Sequence, residues 1–487
     1  GDDARVLGKG RRREVIDTTA MTAMTTARAR AMPTVDGKRA RGGAAMRRGR
    51  GKTAATAVVN AEDGFAARAT RAARGNGALA TTEEARSLRD ARAPTNRNEE
   101  YRFTDFSALT AAEFEGPKDG AKADASGTRV EDAGVVVVLV DGALDAAQSD
   151  LEGAKNAGVS VSVGAGDAAT GAQSAVRGNV FAAINAASAT EVVVIRVAAG
   201  AKCAAPIHIV SLSTSGEDAN TRVSAPRVTV VVEEGGELSL VEDFAGEGEG
   251  AYWQNGVCEI TLSKGASLKH FLVQNHGRNA THTRTTLVTQ EEESKYEVNE
   301  VSVGGKTARH DLNIKQLGPR TETVLGCFNL AGANQTLDLH SKLQLDFEEG
   351  SSDQLHKCIV SAPTGRGVFD GNVQVNRLAQ RTDAQQLSRN LLLVPKATVN
   401  VKPNLQIIAD DVKCTHGCTV SDLEEEELFY IRSRGLSTDT ARSLLVSGFG
   451  VEVINRFPGK DLRDRVNAIV RASLERDSVQ FEWTGDA

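Results

Sequence analysis

The stretch Val228-Thr-Val-Val-Val-Glu-Glu-Gly-Gly-Glu-Leu-Ser-Leu-Val241 contains two short runs of Val and Leu separated by a Gly-Gly pair. A period of two in apolar residues is typical of β-strands, and paired glycines between two such runs indicate a tight turn. The same alternation recurs at 259–262, 337–345 and 373–376. The chain is therefore predicted to be mostly β, built from short strands that follow one another closely.

Glycine-containing turns repeat along this part of the chain. Gly200, Gly235 and Gly265 each follow one strand-like run and precede another, at spacings of 35 and 30 residues. Such spacing is typical of repeats in which each coil stacks on the next. A parallel β-helix and an elongated β-sandwich both fit. Short Val-rich strands with few Asn-Gly hairpin signals favour the parallel β-helix.

The two flanks of this region have helical patterns instead. Residues 77–115 look helical, and Ser421-Asp-Leu-Glu424 has the pattern of a helix capping box. A second C-terminal helix is expected to begin near Ser437. Its apolar stripe could belong to the core, which we favour, or form a face that docks a partner. The stripe consists of Ala441, Leu445, Phe449 and Val453.

Charge is distributed unevenly along the chain. Residues 1–60 hold 14 Lys/Arg against 5 Asp/Glu, whereas the remainder holds 44 against 59. Residues 21–60 are rich in Ala, Thr and Arg with a single acid, which favours an organelle transit peptide over a disordered basic tail. The acidic body would repel nucleic-acid phosphates, so no nucleic-acid partner is expected. The longest apolar run, 135–140, is far shorter than the roughly 20 residues of a membrane span.

Four regions follow from these patterns. They are a disordered leader with the transit peptide (1–76), an N-terminal helical region (77–130), a β-helix core (131–418) and a C-terminal helical domain (419–487).

Cysteines are dispersed too thinly for a secreted disulfide scaffold, so reduced thiols are expected. They are Cys203, Cys258, Cys327, Cys358, Cys414 and Cys418. His270, His276 and His282 are six residues apart and match no metal-ligand spacing. His340 and His356 lie in strand-rich sequence, where structural hydrogen bonding is the expected role.

Cys414-Thr-His-Gly-Cys418 carries the most chemical information. It follows a strand-like run, and alternation would place Cys414, His416 and Cys418 on one face. Thiolate and imidazole are ligands suited to iron, zinc or iron–sulfur clusters. Three ligands along one strand cannot surround a single ion, so a complete site needs ligands from elsewhere, plausibly another chain. The alternative is two buried thiols and a hydrogen-bonded histidine.

Several of these motifs resemble the Suf scaffold proteins of iron–sulfur cluster assembly. Glu100-Tyr-Arg-Phe-Thr104 resembles their amino-terminal signature, and Phe181-Ala-Ala-Ile-Asn-Ala-Ala187 resembles a helix of the family. Ala409-Asp-Asp-Val-Lys-Cys-Thr-His-Gly417, followed by Leu428-Phe-Tyr-Ile-Arg-Ser-Arg-Gly-Leu436, resembles the carboxy-terminal hallmark of the SufD type. The likeness extends from about residue 97 to residue 470.

The resemblance implies a right-handed parallel β-helix and a non-catalytic subunit that pairs with SufB and binds two copies of the SufC ATPase. A nascent iron–sulfur cluster would form transiently at the SufB–SufD junction, where His416 and Cys414 are the implied metal ligands and Cys418 is less secure. A reduced flavin is a further cofactor that the resemblance allows in the complex. The C-terminal helices would dock SufC, through Leu428, Phe429, Arg432, Arg434, Leu445 and Phe449.

The resemblance also favours the chloroplast (plastid stroma) over the mitochondrion as the destination of the leader. Within the family, the rival assignment is the SufB paralogue, which carries a Cys-Asp-Ser-Leu-Leu-like segment. Here the corresponding stretch, Ser388-Arg-Asn-Leu-Leu392, has no thiol, which favours the SufD type.

Two rivals come from other classes of protein. A polysaccharide-acting β-helix enzyme needs paired carboxylates and sugar-stacking aromatics, and the chain has only two Trp and four Tyr. A stand-alone metal-binding protein would use the segment 414–418 alone.

Overall fold

The computed structural model describes residues 64–73, 88, 92–118, 120–151, 158–164, 179–217, 219–423 and 425–478. The predicted transit peptide at 21–60 lies outside the described residues. Helix α1 (Phe65–Ala72) falls inside the range 1–76 that the sequence assigned to a disordered leader. It is folded because Phe65 stacks on Trp253 with ring centroids 5.6 Å apart.

Helices lie on either side of a long series of strands. They are α1, α2 (Ser107–Ala111), α3 (Val180–Ser188), α4 (Glu425–Arg432), α5 (Thr438–Ile454) and α6 (Lys460–Ser478), with short 3₁₀ turns at Glu99–Tyr101 and Ser126–Thr128. The strands are β1 (Phe114–Glu115), β2 (Val135–Val140), β3 (Ala143–Leu144), β4 (Val159–Gly164), β5 (Val192–Val197), β6 (Ile207–Thr214), β7 (Thr221–Ser224), β8 (Arg227–Val232), β9 (Glu237–Glu247), β10 (Tyr252–Leu262), β11 (Ser267–Asn275), β12 (Ala280–Gln290), β13 (Lys295–Ser302), β14 (Thr307–Gln316), β15 (Glu322–Ala331), β16 (Thr336–Leu345), β17 (Ser351–Val360), β18 (Arg366–Val375), β19 (Thr382–Leu392), β20 (Thr398–Ile407) and β21 (Val412–Ser421).

From β8 onward the strands alternate between two parallel sheets. Sheet A runs in the order β20-β18-β16-β14-β12-β10-β8-β5-β4, and sheet B in the order β21-β19-β17-β15-β13-β11-β9-β6-β2-β3. Each strand pairs in parallel with the strand two places later in sequence, as Val257 of β10 does with Arg227 of β8. The predicted parallel β-helix is confirmed.

A stacked corner turn joins the two sheets in each coil. Gly200, Gly235 and Gly265 have φ of 67°, 65° and 66°, a left-handed conformation that glycine adopts without steric cost. Each donates its N–H to a carbonyl of the next coil, as Gly235 does to Lys264 at 2.9 Å. The repeat that the sequence predicts is therefore a ladder of equivalent turns.

The core fills the space between the sheets with aliphatic side chains. Their alternation along each strand produces one continuous cluster, which includes Val230, Ile260, Leu312, Leu343 and Val373. β-Branched and Leu side chains suit this site because they pack well on the pleated inner surfaces.

Helices cover the outer surfaces of both sheets. On sheet A, α1 and α3 pack with Trp253 in an aromatic cluster, and Asn179 caps α3 by accepting from Phe181 N at 2.9 Å. On sheet B, α5 and α6 bury Val453 and Val466 against strand residues such as Phe328. None of the helices in the described ranges combines the length and apolar character that crossing a bilayer requires.

The C-terminal helices differ in one detail from the sequence prediction. Ser421 does not cap a helix, because it is the last residue of β21 and pairs with Leu391 of β19. Ser437 caps α5 as predicted, since its Oγ accepts from Thr440 N at 3.2 Å. Of the predicted apolar stripe, Ala441 and Val453 are fully buried, which fits the core interpretation.

Candidate functional site

The segment 414–418 forms part of β21, the last strand of sheet B. Val412 and Cys414 pack against the core between the sheets. The register with β19 is unbroken from Val412 to Ser421, so His416 and Cys418 face the same way as Cys414. All three potential ligands therefore lie on the inward face of the strand.

This inward face is covered in the preceding coil but not in the last one. The β19 residues in register with the three potential ligands are Ala384, Gln386 and Ser388, and all are buried. Cys414 is half-buried, whereas His416 and Cys418 are exposed. Because β20 and β21 are the end strands of their sheets, the ligand atoms lie at the open end of the solenoid.

The thiols at this end are protonated in the isolated chain. Burial and the charge of Asp383 raise the pKa of Cys414, and burial raises the pKa of Cys418. A metal ion would have to displace these protons, since the thiolate is the ligand. In the described part of the chain, no group of three or more His, Cys, Asp or Glu side chains is arranged to hold a metal ion. The arrangement is a partial ligand set.

A polar layer lies directly beneath the open end. His356 Nδ1 and Ser388 Oγ are 3.0 Å apart, and the imidazole stacks on Phe369 with ring centroids 4.3 Å apart. Gln386 Nε2 donates to Gln354 Oε1 at 3.1 Å. The sequence does not predict that Gln386 and Ser388 are polar neighbours of the site. About 30 residues separate each of them from its partner in β21, and only the pairing of β19 with β21 brings them together.

His340 and His356 form hydrogen bonds inside the solenoid, as expected from the sequence, and His270, His276 and His282 do so as well. The pairs are His270 with Glu242 (2.8 Å) and Tyr296 (3.0 Å), His276 with His282 (3.1 Å), His340 with Arg309 (3.1 Å) and His356 with Ser388 (3.0 Å). Burial lowers the pKa of His276 and of His356 to about 3. His276 and His356 are therefore neutral at physiological pH and contribute to packing.

The C-terminal residues predicted to bind a partner fall into two groups. In α5, Leu445 is half-buried, and Phe449 packs on sheet B with its carbonyl accepting from Lys357 Nζ at 3.1 Å. Around α4, Phe429 is 72% exposed and Tyr430 is 59% exposed. Leu428 is half-buried, and Arg432 and Arg434 are exposed. The α4 segment thus presents an aromatic and basic surface to solvent.

A polar groove of about 590 Å³ lies on the outer side of sheet A. Its lining comes from four strands and from the segment near Glu99, which pairs with Lys402 at 2.8 Å. Carboxylates, lysines and amides are mixed within it, among them Asp311, Lys342 and Asn372. No motif in the sequence signals the groove, because its residues are brought together only by the stacking of coils.

Comparison with known families finds a domain that covers most of the solenoid. Residues 212–449 match the family model described as "SUF system FeS cluster assembly, SufBD core domain". The match begins in β6, includes β21 and ends in α5. This part of the chain is a SufBD core domain.

Several curated relatives of the chain bear names from iron–sulfur assembly. It is 51% identical over 301 residues to "Protein ABCI7, chloroplastic" of Arabidopsis thaliana, covering 61% of the chain and 63% of the relative. It is 36% identical over 299 residues to an iron–sulfur cluster assembly SufBD family protein of Synechocystis, covering 60% and 65%. It is 28% identical over 386 residues to the iron–sulfur cluster assembly protein SufD of Escherichia coli, covering 78% and 89%. The chain spans just under two thirds of the length of the first two relatives.

Proposed function

We propose that this chain is a non-catalytic scaffold subunit of Suf-type iron–sulfur cluster assembly, of the SufD type. A nascent cluster forms at its junction with a SufB-type partner. The observation that carries the proposal is the partial ligand set of Cys414, His416 and Cys418 at the open end of the solenoid. The SufD name of the Escherichia coli relative supports it.

His416 is the leading ligand in this proposal, with Cys414 beside it. An exposed imidazole can bind iron without breaking any packing contact. Cys414 is half-buried with a raised pKa, so its thiol stays protonated until iron and the partner's ligands arrive. The remaining coordination positions belong to the SufB-type chain. The cluster is cargo that is built and handed on.

The SufB-type partner docks on the open end of the solenoid. The end strands β20 and β21 have one edge without a neighbouring strand of their sheets, and such edges offer backbone N–H and C=O groups to another chain. Ile408 and Val420 are exposed at the same end. Apolar side chains beside open strand edges fit a protein interface.

A SufC-type ATPase docks on the C-terminal helices, and α4 supplies the exposed part of that surface. Phe429 and Tyr430 are large aromatic side chains open to solvent, and exposed aromatics with arginine neighbours are enriched at protein interfaces. Arg434 lies over the ring of Tyr430, with its Cζ 3.5 Å from the centroid. Leu445 and Phe449 act mainly by holding α5 in place beneath this surface.

The protein functions in the plastid. The word "chloroplastic" in the name of the Arabidopsis relative and the basic, acid-poor composition of residues 21–60 support this location. Import of the full-length chain fused to a fluorescent protein, imaged against plastid and mitochondrial markers, tests it. Fluorescence confined to mitochondria would contradict it.

Co-expression with SufB-type and SufC-type partners tests the scaffold role. Co-elution of all three chains on size exclusion is expected, with iron and sulfide in the reconstituted complex. His416→Ala should lower the bound iron and sulfide several-fold while the complex stays intact. Thr415→Ala, on the opposite face of β21, is the matched control and should change neither.

Two outcomes contradict the proposal. One is failure of the wild-type chain to co-elute with its partners. The other is a purified chain that, without partners, builds and retains a cluster with the yield of the full complex.

A further inference from the structure

Gln386 lies directly beneath His416 in the stacked coils. The two residues are in register on the parallel strands β19 and β21, on the same inward face. Adjacent strands are about 4.8 Å apart, so the two side chains are within hydrogen-bonding reach. Gln386 is 2% exposed, whereas His416 is exposed, so the amide lies one strand below the imidazole on the inward face.

The orientation of the Gln386 amide is set from below. Its Nε2 donates to Gln354 Oε1 at 3.1 Å, and that oxygen also accepts from Ser341 Oγ at 3.2 Å. Gln354 Oε1 is thus used as an acceptor twice. Among the residues that the structure describes, the buried Gln386 Oε1 atom has no hydrogen-bond partner. A buried carbonyl oxygen without a donor is unfavourable, which indicates that a donor arrives from elsewhere.

A glycine on the facing sheet makes room for this amide. A Cβ atom on Gly371 of β18 would lie 2.4 Å from Gln386 Nε2 and 2.9 Å from its Cδ. The backbone of Gly371 is outside the left-handed region, so its conformation does not require glycine. The Gln386 amide and the ring of Phe369, whose Cζ would lie 2.6 Å from the same Cβ, together exclude a side chain there.

We propose that Gln386 Oε1 accepts a hydrogen bond from a ring N–H of His416 and so fixes the tautomer and direction of the imidazole. The other ring nitrogen then faces the open end, free to bind iron. Histidines that bind metals commonly donate their second ring N–H to such an acceptor. Gln386 is a positioning residue that acts through His416. The inference rests on the proposed function, in which His416 is a ligand.

Tautomer measurement on the full chain tests the inference. Histidine is labelled with ¹⁵N, long-range ¹H–¹⁵N NMR spectra are recorded in mildly alkaline buffer, and the His416 signals are assigned by their loss in His416→Gln. Gln386→Met keeps the length of the side chain but removes the acceptor. It should change the ratio of the two His416 tautomers about fivefold, the factor that a net hydrogen bond of about 1 kcal/mol gives. Gln386→Glu, which keeps an acceptor oxygen, should restore the wild-type ratio.

Control variants separate positioning from folding. Gln385→Leu changes the exposed neighbour on the opposite face of β19 and should leave the ratio unchanged. If Gln386→Met unfolds, Gln386→Leu supplies a second variant without the acceptor. An unchanged tautomer ratio in whichever folded variant lacks the acceptor overturns the inference. Full cluster content in the His416→Ala complex would instead overturn the proposed function, whatever the tautomer ratio.

Discussion

Arg465 of α6 donates two parallel hydrogen bonds to Asp243 of β9, from Nη1 to Oδ1 at 2.9 Å and from Nη2 to Oδ2 at 2.7 Å. Asp243 is buried and lies 2.7 Å from His208 Nε2 as well. Burial opposes ionisation, but His208 and Arg465 together hold the pKa of Asp243 below its usual value. A charge-assisted pair thus joins the last helix to an early coil of the solenoid.

Arg465→Ala should loosen the C-terminal helices. The substitution leaves a buried carboxylate with fewer donors, and the expected loss is about 3 kcal/mol in the free energy of unfolding. Urea unfolding measures the loss, and faster proteolysis within 425–478 shows where it falls. Arg471→Ala, an exposed arginine on the same helix, is the control. Equal urea midpoints for the two variants would contradict the prediction.

Acid should destabilise the fold through its buried neutral histidines. His276 and His356 have folded pKa values of about 3, whereas unfolded histidine titrates near pH 6.5. Because the folded pKa is the lower one, the unfolded chain binds the extra protons as the pH falls. Their contribution is therefore complete above about pH 6.5 and is lost toward pH 3, by about 1.4 kcal/mol per pH unit for each histidine.

Urea midpoints at pH 7.5 and pH 5.5 measure this dependence. His356→Asn removes one of the two groups, so its midpoint should fall less between the two pH values than that of the wild type. The comparison uses the change with pH, so a general loss of stability in the variant does not affect it. An identical change in both proteins would show that His356 is not a source of the acid sensitivity.

The stacked corner turns show how far sequence can predict this fold. Gly200, Gly235 and Gly265 reveal the repeat because glycine stands at each left-handed position. In later coils non-glycine residues take the same position, with φ between 55° and 59°, so the repeat disappears from the sequence. They are Glu293, Arg320, Glu349 and Arg381. Each N–H still donates to the next coil, and these tertiary hydrogen bonds stabilise a conformation that local preference disfavours.

Some features of the candidate site could likewise be predicted from sequence, and others could not. Alternation within one strand is local, so the shared face of Cys414, His416 and Cys418 could be predicted from sequence. The register between two strands is not local, so the position of Gln386 beneath His416 could not be predicted from sequence. The capping-box pattern at Ser421 misled for the same reason, because pairing with Leu391 extends the strand to that residue. Local patterns located the potential ligands, while the stacking of coils determines their surroundings.

Thr104→Val should weaken the attachment of the N-terminal segment. Thr104 Oγ1 donates to Asp338, which also accepts from Arg309 Nη1 at 3.0 Å. Thr104 and Asp338 are both buried, so loss of the hydroxyl should cost about 1–3 kcal/mol in the free energy of unfolding. Urea unfolding measures it, with exposed Thr95→Val as the control. Matching midpoints would show that the hydroxyl contributes little.

Phe429→Asp should weaken binding of the SufC-type ATPase without destabilising the chain. Its ring is 72% exposed, so the substitution should change the free energy of unfolding by less than about 0.5 kcal/mol. At an interface, loss of a large aromatic and burial of a new charge commonly cost 2 kcal/mol or more, roughly a thirtyfold rise in Kd. Calorimetric titration with the ATPase measures the affinity.

Phe347→Asp provides the matched control, because Phe347 is also exposed but lies in a corner turn of the solenoid. It should bind the ATPase like the wild type. If both variants bind equally well, α4 is not the docking surface, and the half-buried face of α5 around Leu445 becomes the segment to examine. If only Phe429→Asp fails, the ATPase contacts α4, which follows β21 directly in the chain. Movement of the ATPase could then reach the strand that carries His416 through a connection of only a few residues.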